Sequence, residues 1–203
     1  MNILKDKQKR HEIKFLISLK EKINFIKKNQ LKKIFPDRIV ESVYFDTKDF
    51  QFFNLSEEGV TPRYKVRLRG YNNEKLNNLE IKTTNNYHRQ KIVIKNFQFD
   101  NFELHKTLKK IGITKIVEQK VRVKYLRSYY ELENLGRITM DKDIEFLYPA
   151  KEFHNSKKIN QIILEVKIED NKIDKNTIEK IINLKETRFS KYCIGINYLL
   201  NSN

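Results

Sequence analysis

Residues 63–70 read RYKVRLRG, which sets Arg63, Lys65, Arg67 and Arg69 at every second position with Tyr64, Val66 and Leu68 between them. Side chains two apart share one face of a β-strand, so the spacing predicts a strand that projects four cations from one side and three apolar groups from the other. Four like charges on one face repel one another unless an anion neutralises them. The segment therefore commits this part of the chain to sheet and marks a site for something densely negative: polyphosphate, a nucleotide or a nucleic acid.

Across 203 residues, Lys and Arg outnumber Asp and Glu by 42 to 26, a formal net charge of +16, which again points to an anionic partner or substrate. The scattered Lys27, Lys28, Lys32, Lys33, Lys109 and Lys110 read as solvated helix faces. At 39% hydrophobic residues there is material for a core, and no composition shift marks a boundary, so one domain over residues 1–203 is expected. Cys193 is the only cysteine, which excludes an intrachain disulfide and suits a reducing compartment. MNILKDKQKR at the N-terminus lacks a secretory apolar centre, and no run approaches the roughly 18 apolar residues of a membrane span. A cytoplasmic protein is the expectation. Neither G-x-x-x-x-G-K-[ST] nor G-x-G-x-x-G occurs, so any phosphate must be held by side chains.

Besides the cationic strand, strands are expected at His11 to Leu19, Ile39 to Asp46, Leu79 to Lys82, Arg89 to Phe99, Val117 to Tyr130, Arg137 to Ile144 and Ile162 to Ile168. Helices are expected near Lys20 to Lys33, ended by Pro36 and Asp37, at Phe102 to Ile111, and near Lys175 to Leu184 and Lys191 to Leu200. Asp49 to Gly59 reads as a loop or turn region. About eight strands with helices between pairs make an antiparallel α+β domain. Charged and apolar residues alternate in strand after strand, with Glu12 and Lys14, Glu80 and Lys82, and Glu165 and Lys167 each at i and i+2. Any one such pair alone reads as a surface salt bridge; three of them beside Arg63 to Arg69, Arg127 and Arg137 suggest more. The charges either face solvent around a small apolar barrel, or line the lumen of a wider one whose outward apolar faces are covered by helices. A period of two carries no label for inside or outside.

The succession RHEIKFLI, SVYFDT, RYKVRLRGY, LEIK, RQKIVI, VKYLRSYY, GRITMDKDI, LEVK and FSKYCIGI runs through nearly the whole chain. In order and spacing it resembles the VTC domain, the polyphosphate polymerase branch of the triphosphate tunnel metalloenzyme (CYTH-like) superfamily. The superfamily's first-strand signature usually reads E-x-E-x-K, whereas Arg10 stands two residues before Glu12 here, and that basic first strand favours the polymerase branch. The resemblance implies an eight-stranded antiparallel β-barrel tunnel with a charged lumen and flanking helices. Such a tunnel binds ATP with Mn²⁺ or Mg²⁺ and transfers the γ-phosphoryl group to phosphate or a growing polyphosphate chain. Catalytic roles are implied for Arg67, Arg69, Lys82, Arg127 and Lys191. Substrate contacts are implied for Lys14, Lys91, Tyr125, Arg137 and Ser190, with Arg63 and Lys65 as supporting charge at the mouth. Glu165 matches the metal-binding carboxylate, helped by Glu12 or Glu80.

These residue types suit that chemistry, because phosphoryl transfer needs charge neutralised and oxygens aligned rather than a covalent nucleophile. Arginine offers a planar fork to phosphate oxygens, and lysine a movable point charge. An oxygen-only site suits Mn²⁺ or Mg²⁺; His11, His88, His105 and His154 show no metal-ligand spacing, which argues against zinc. Tyr44 and Phe45 are expected to pack, and Asp46 to end its strand or pair with a cation. Glutamates beside the cations would repel nucleic-acid phosphates without a metal, so no DNA or RNA partner is expected. A triphosphatase with water as acceptor and a non-catalytic binding module for polyphosphate or nucleic acid are the alternatives. Related eukaryotic polymerases join this domain to an inositol-phosphate-sensing segment and membrane spans, neither of which occurs in these 203 residues, so a membrane protein partner is a further expectation.

Overall fold

The computed structural model describes residues 3–6, 10–86, 88–132, 136–149, 156–169 and 175–201, the side chains of 3–6, 10, 11, 169 and 175 excepted. His154 lies outside these segments, and so do the side chains of Arg10 and His11. The described strands are β1 (Ile3–Asp6), β2 (Arg10–Ile17), β3 (Lys32–Asp46), β4 (Arg63–Tyr71), β5 (Asn78–Asn85), β6 (His88–Ile94), β7 (Glu118–Leu132), β8 (Gly136–Leu147), β9 (Ser156–Ile159) and β10 (Ile162–Glu169). The helices are α1 (Leu19–Lys28), α2 (Gln51–Glu58), α3 (Asn101–Lys110), α4 (Lys175–Ile182) and α5 (Lys191–Leu200). All strand pairs are antiparallel, in the order β1-β6-β5-β4-β3-β7-β8-β10-β2 with β9 added on β8. Eight long strands form a curled half-barrel, and β1 and β9 are four-residue additions. Among the described residues no ladder joins β2 to β6; side chains reach across that seam, Lys82 Nζ on β5 standing 3.8 Å from Glu12 Oε2 on β2.

The question that a period of two leaves open is answered by burial: the charges face the concave side and the apolar residues face outward beneath helices. Val66 and Leu68 of β4 pack with Leu79, Ile81, Ile92 and Ile94 of β5 and β6 under Leu104 and Leu108 of α3. Ile13, Phe15 and Ile17 of β2 pack with Leu164, Val166 and Ile168 of β10 under Phe25 of α1 and Ile178 and Ile182 of α4. Helix α5 lies across the apolar remainder of the inner face, Tyr192, Cys193, Ile196 and Leu199 meeting Val121, Val123, Ile144 and Phe146. Gly195 lets α5 settle onto the sheet side chains, since a Cβ there would stand 2.9 Å from both Val121 and Phe146 side-chain carbons. The lone cysteine, Cys193, is buried in this layer, where burial raises its thiol pKa.

Besides the unexpected β1 and β9 and the shifted bounds of β3 and β6, local structure departs from the sequence reading at three places. Helix α1 ends at Lys28, not Lys33, because Asn29 caps it and Gln30 takes a left-handed φ of 48° before the chain enters β3. Pro36 lies inside β3 and does not end a helix; it sits where the β3/β7 register slips between Phe35 and Arg38, so its missing N–H breaks no regular ladder bond. The segment expected as a loop contains α2. Its first N–H groups are held from outside the helix, by Asp46 accepting from Phe52 and Phe53 at 2.8 and 3.0 Å and Thr47 Oγ1 accepting from Gln51 at 2.9 Å.

Candidate active site

The concave face encloses a cavity of about 680 Å³, and all fifteen residues singled out from the sequence line it. Lys65, Arg67 and Arg69 come from β4, Glu80 and Lys82 from β5, Lys91 from β6, Tyr125 and Arg127 from β7, and Arg137 from β8. Glu165 comes from β10, Glu12 and Lys14 from β2, and Arg63 stands at the start of β4. Ser190 caps α5, its Oγ accepting from Cys193 N–H, and Lys191 opens that helix. Antiparallel register explains the convergence: Arg67 faces Glu80, Lys82 faces Lys91, and Lys14 faces Glu165.

Four carboxylates organise the cations. Glu80, 4% exposed, takes Arg67 through Nε at 2.9 Å and through its terminal nitrogen, with Lys91 at 3.2 Å and Arg69 at 3.7 Å. Asp141 receives Arg127 at 2.6 and 2.7 Å and Lys191 at 2.5 Å. Lys167 lies 3.2 Å from both Glu12 and Glu165. Tyrosines supply the next layer, Arg67 donating to Tyr44 at 2.8 Å and Arg69 to Tyr125 at 3.3 Å. Lys191 stands 4.6 Å above the Tyr125 ring and Arg127 5.3 Å from it. Arg137, Arg63 and Lys65 have no carboxylate at ion-pair distance among the described residues; Lys65 donates to Ser190 Oγ at 3.0 Å.

Crowded cations leave their mark on titration. Burial would raise the Glu80 carboxyl, yet Arg67, Arg69 and Lys91 hold it well below the carboxylate range. Glu165 is likewise held down, against burial, by Lys167, Lys14 and Arg127. Burial, only partly offset by Glu12 and reinforced by Arg67 and Lys167, brings Lys82 down to about 8. Burial also opposes ionisation of Tyr44, but Arg67 and Arg69 outweigh it and lower the phenol to about 8.

Further residues, to which the sequence reading gives no site role, join the site. Tyr44, expected to pack, does stack on Tyr192 with ring centroids 5.3 Å apart, but its hydroxyl also belongs to the cavity. Lys167, Thr139 and Asp141 share the inward parity of Glu165 and Arg137, and that parity is the signal the sequence offers for them. Asp46 ends β3 and, among the described residues, pairs with no tunnel cation: it accepts from α2 and from the Tyr192 hydroxyl and ties that helix to α5.

Among the described residues no three Asp, Glu, His or Cys side chains are grouped to hold a metal ion unaided. Glu12 and Glu165, however, both reach the single Lys167 ammonium, and one or two carboxylates completed by phosphate oxygens and water are a common setting for a small divalent cation. Glu80 is occupied by three cations. The arrangement can therefore grip an extended phosphate anion, and Glu12 and Glu165 are the carboxylates that would hold a divalent ion beside it. No helix is long and apolar enough to cross a membrane among the described residues.

Solved structures share this architecture. A candidate adenylyl cyclase of Hippeastrum, described as having a dominant triphosphatase activity, superposes with a TM-score of 0.57 at 13% identity, covering 92% of this chain and 94% of that one. A candidate adenylate cyclase of Bacillus halodurans gives 0.56 at 14% identity over 92% and 95% of the two chains. A protein of Pyrococcus horikoshii OT3 gives 0.54 at 16% identity over 95% and 99%. At these identities the likeness concerns the tunnel fold alone. No curated protein matches. The VTC domain model matches residues 9–111 and 98–200, together almost the full length, and the chain belongs to the VTC domain family.

Proposed function

We propose that the chain is a polyphosphate polymerase, transferring the γ-phosphoryl group of ATP to phosphate or to the end of a polyphosphate chain and releasing ADP. The observation that carries this reading is the charge of the cavity wall. Fourteen Lys and Arg side chains line it against four Glu, a formal excess of ten. A triphosphate brings about four negative charges, which nucleophile alignment and neutralisation require to be matched. The surplus, which includes Arg63, Arg89 and Arg188, suits an anion longer than a triphosphate. In the transfer, the acceptor oxygen bonds to Pγ as the bond from Pγ to the β-bridging oxygen breaks. Arg67, Arg69, Lys82 and Lys91 hold the phosphates along β4 to β6, while Arg127, Arg137 and Lys191 hold them along β7, β8 and α5. Mg²⁺ or Mn²⁺ on Glu165 and Glu12 would neutralise phosphate oxygens further when bound.

A triphosphatase using water as acceptor is the second reading, favoured by the Hippeastrum protein of the same fold. Incubation of the purified protein with ATP and Mn²⁺ or Mg²⁺, followed by gel sizing of the products, separates the two. Chains longer than triphosphate are expected; orthophosphate and diphosphate alone would replace the polymerase with the hydrolase.

Triphosphate affinity is expected to fall as the pH rises through about 8, where Lys82 loses its proton and Tyr44 gains a negative charge. A terminal phosphate sheds its last proton near pH 6, so the ligand itself does not change in this window. Both protein changes remove positive potential, and the sign is the same for each. Calorimetric titration with tripolyphosphate between pH 7 and 9.5 checks it: Lys82→Arg should flatten part of the alkaline fall, and Lys82→Arg with Tyr44→Phe the remainder. An unchanged slope in the double variant would assign the fall to other groups.

A further inference from the structure

We infer that Thr139 is a phosphate-binding residue of this cavity, its hydroxyl donating to a non-bridging phosphate oxygen seated beside Arg137. The inference rests on the triphosphate reading above and adds a contact to it. Thr139 is 1% exposed, lines the cavity, and its Oγ1 has no hydrogen-bond partner among the described residues. A buried hydroxyl left unpaired carries its full desolvation cost, so such a group is rare in a wall without a use for it. Among the described residues Ser56 Oγ is the other buried hydroxyl in this condition and also belongs to the cavity wall, but it lies in α2, where a serine hydroxyl can turn to the carbonyl one turn back. Thr139 stands in β8, where the backbone acceptors are engaged in ladders to β7 and β10, and no such local partner exists.

Its surroundings define the ligand. Arg137 and Asp141 flank Thr139 two residues away on the same inward face, and Glu165 is directly opposite on β10. Asp141 accepts from Arg127 and Lys191, Glu165 lies 3.2 Å from Lys167, and neither carboxylate is hydrogen-bonded to the Thr139 hydroxyl. Arg137 has no carboxylate at ion-pair distance among the described residues. A neutral donor between one uncompensated guanidinium and an Arg–Lys pair sharing a single carboxylate selects an anionic oxygen acceptor. A divalent ion held by Glu165 opposite could meet the hydroxyl oxygen but would not use its proton, and an apolar group would leave the hydroxyl as it is; only an anionic oxygen takes the donor.

Thr139→Val keeps the branched shape and deletes only the hydroxyl, while Thr139→Ser keeps the hydroxyl. Tripolyphosphate binding is measured by calorimetry in EDTA and again with Mg²⁺, alongside the thermal midpoint of the free protein. The valine variant should bind about ten- to a hundredfold more weakly in both conditions, the loss of one hydrogen bond to a charged acceptor, with a thermal midpoint equal to or above wild type. The serine variant should bind within about twofold of wild type. Wild-type affinity in Thr139→Val overturns the inference, as does a lowered midpoint in both variants, which would make the residue structural. Failure of the wild-type protein itself to bind tripolyphosphate would overturn the triphosphate reading, and this contact with it.

Discussion

Replacing Glu80 with glutamine should cost the free protein about 3–5 kcal/mol of stability while tightening its hold on metal-free tripolyphosphate. The carboxylate is 4% exposed and holds Arg67, Arg69 and Lys91 together in the wall. Without it, three cations face one another in a poorly solvated space. The fold loses their common counter-ion, and an arriving polyanion replaces it. Urea unfolding with and without tripolyphosphate should therefore show a larger ligand-induced gain in the variant than in wild type. The acid limb gives an independent check. Glu80 titrates far below its ordinary 4.5 because the cations outweigh burial, so its contribution is complete above that pH and is lost as the pH falls toward the depressed value. Glu80→Gln should lack that share of acid sensitivity. If Glu80 instead served as a metal ligand, the variant would lose Mg²⁺-dependent binding and gain nothing in EDTA.

The same residues show what is legible in the sequence. Strand positions and shared faces follow from period-two alternation, so Arg67, Glu80 and Lys82 are recognisable as one surface from their spacing alone. Which side that surface faces is not written locally. It depends on α1, α3 and α4 supplying apolar cover to the other side, as Leu104 and Leu108 do over Val66 and Leu68. Helix α2 leaves little local signal because its capping carboxylate, Asp46, lies outside the helix at the end of a strand, with Phe50 in a left-handed conformation between them. Pro36 reads as a helix breaker since the register slip that accommodates it arises only from pairing with β7. The carboxylates are legible as residues but not as roles. Glu80 and Glu165 sit in identical Glu-x-Lys contexts, yet cross-strand register gives the first three cations from β4 and β6, whereas the second keeps the lysine of its own strand, Lys167, which register sets opposite Glu12.

If the proposed transfer from ATP holds, Arg67→Ala should lower kcat/KM for ATP by about 10²–10³, the range for removing one preorganised charge donor from a reacting oxyanion. Arg67 is fixed before any ligand arrives: Nε and one terminal nitrogen engage Glu80, the other donates to Tyr44 at 2.8 Å, and the guanidinium stands 5.6 Å from the Tyr44 ring centroid. No reorganisation is then needed when charge shifts in the transition state. Arg67→Lys should recover little, because an ammonium cannot occupy both the Glu80 and Tyr44 directions and still face phosphate. Loss of net charge alone is a different explanation, and Arg67→Ala combined with Glu80→Gln tests it by restoring the charge balance without the fork. Steady-state ADP release, with circular dichroism melts to show that each variant is folded, measures all three. Activity in Arg67→Lys within about threefold of wild type, or recovery in the double variant, would show that charge rather than geometry is what this position supplies.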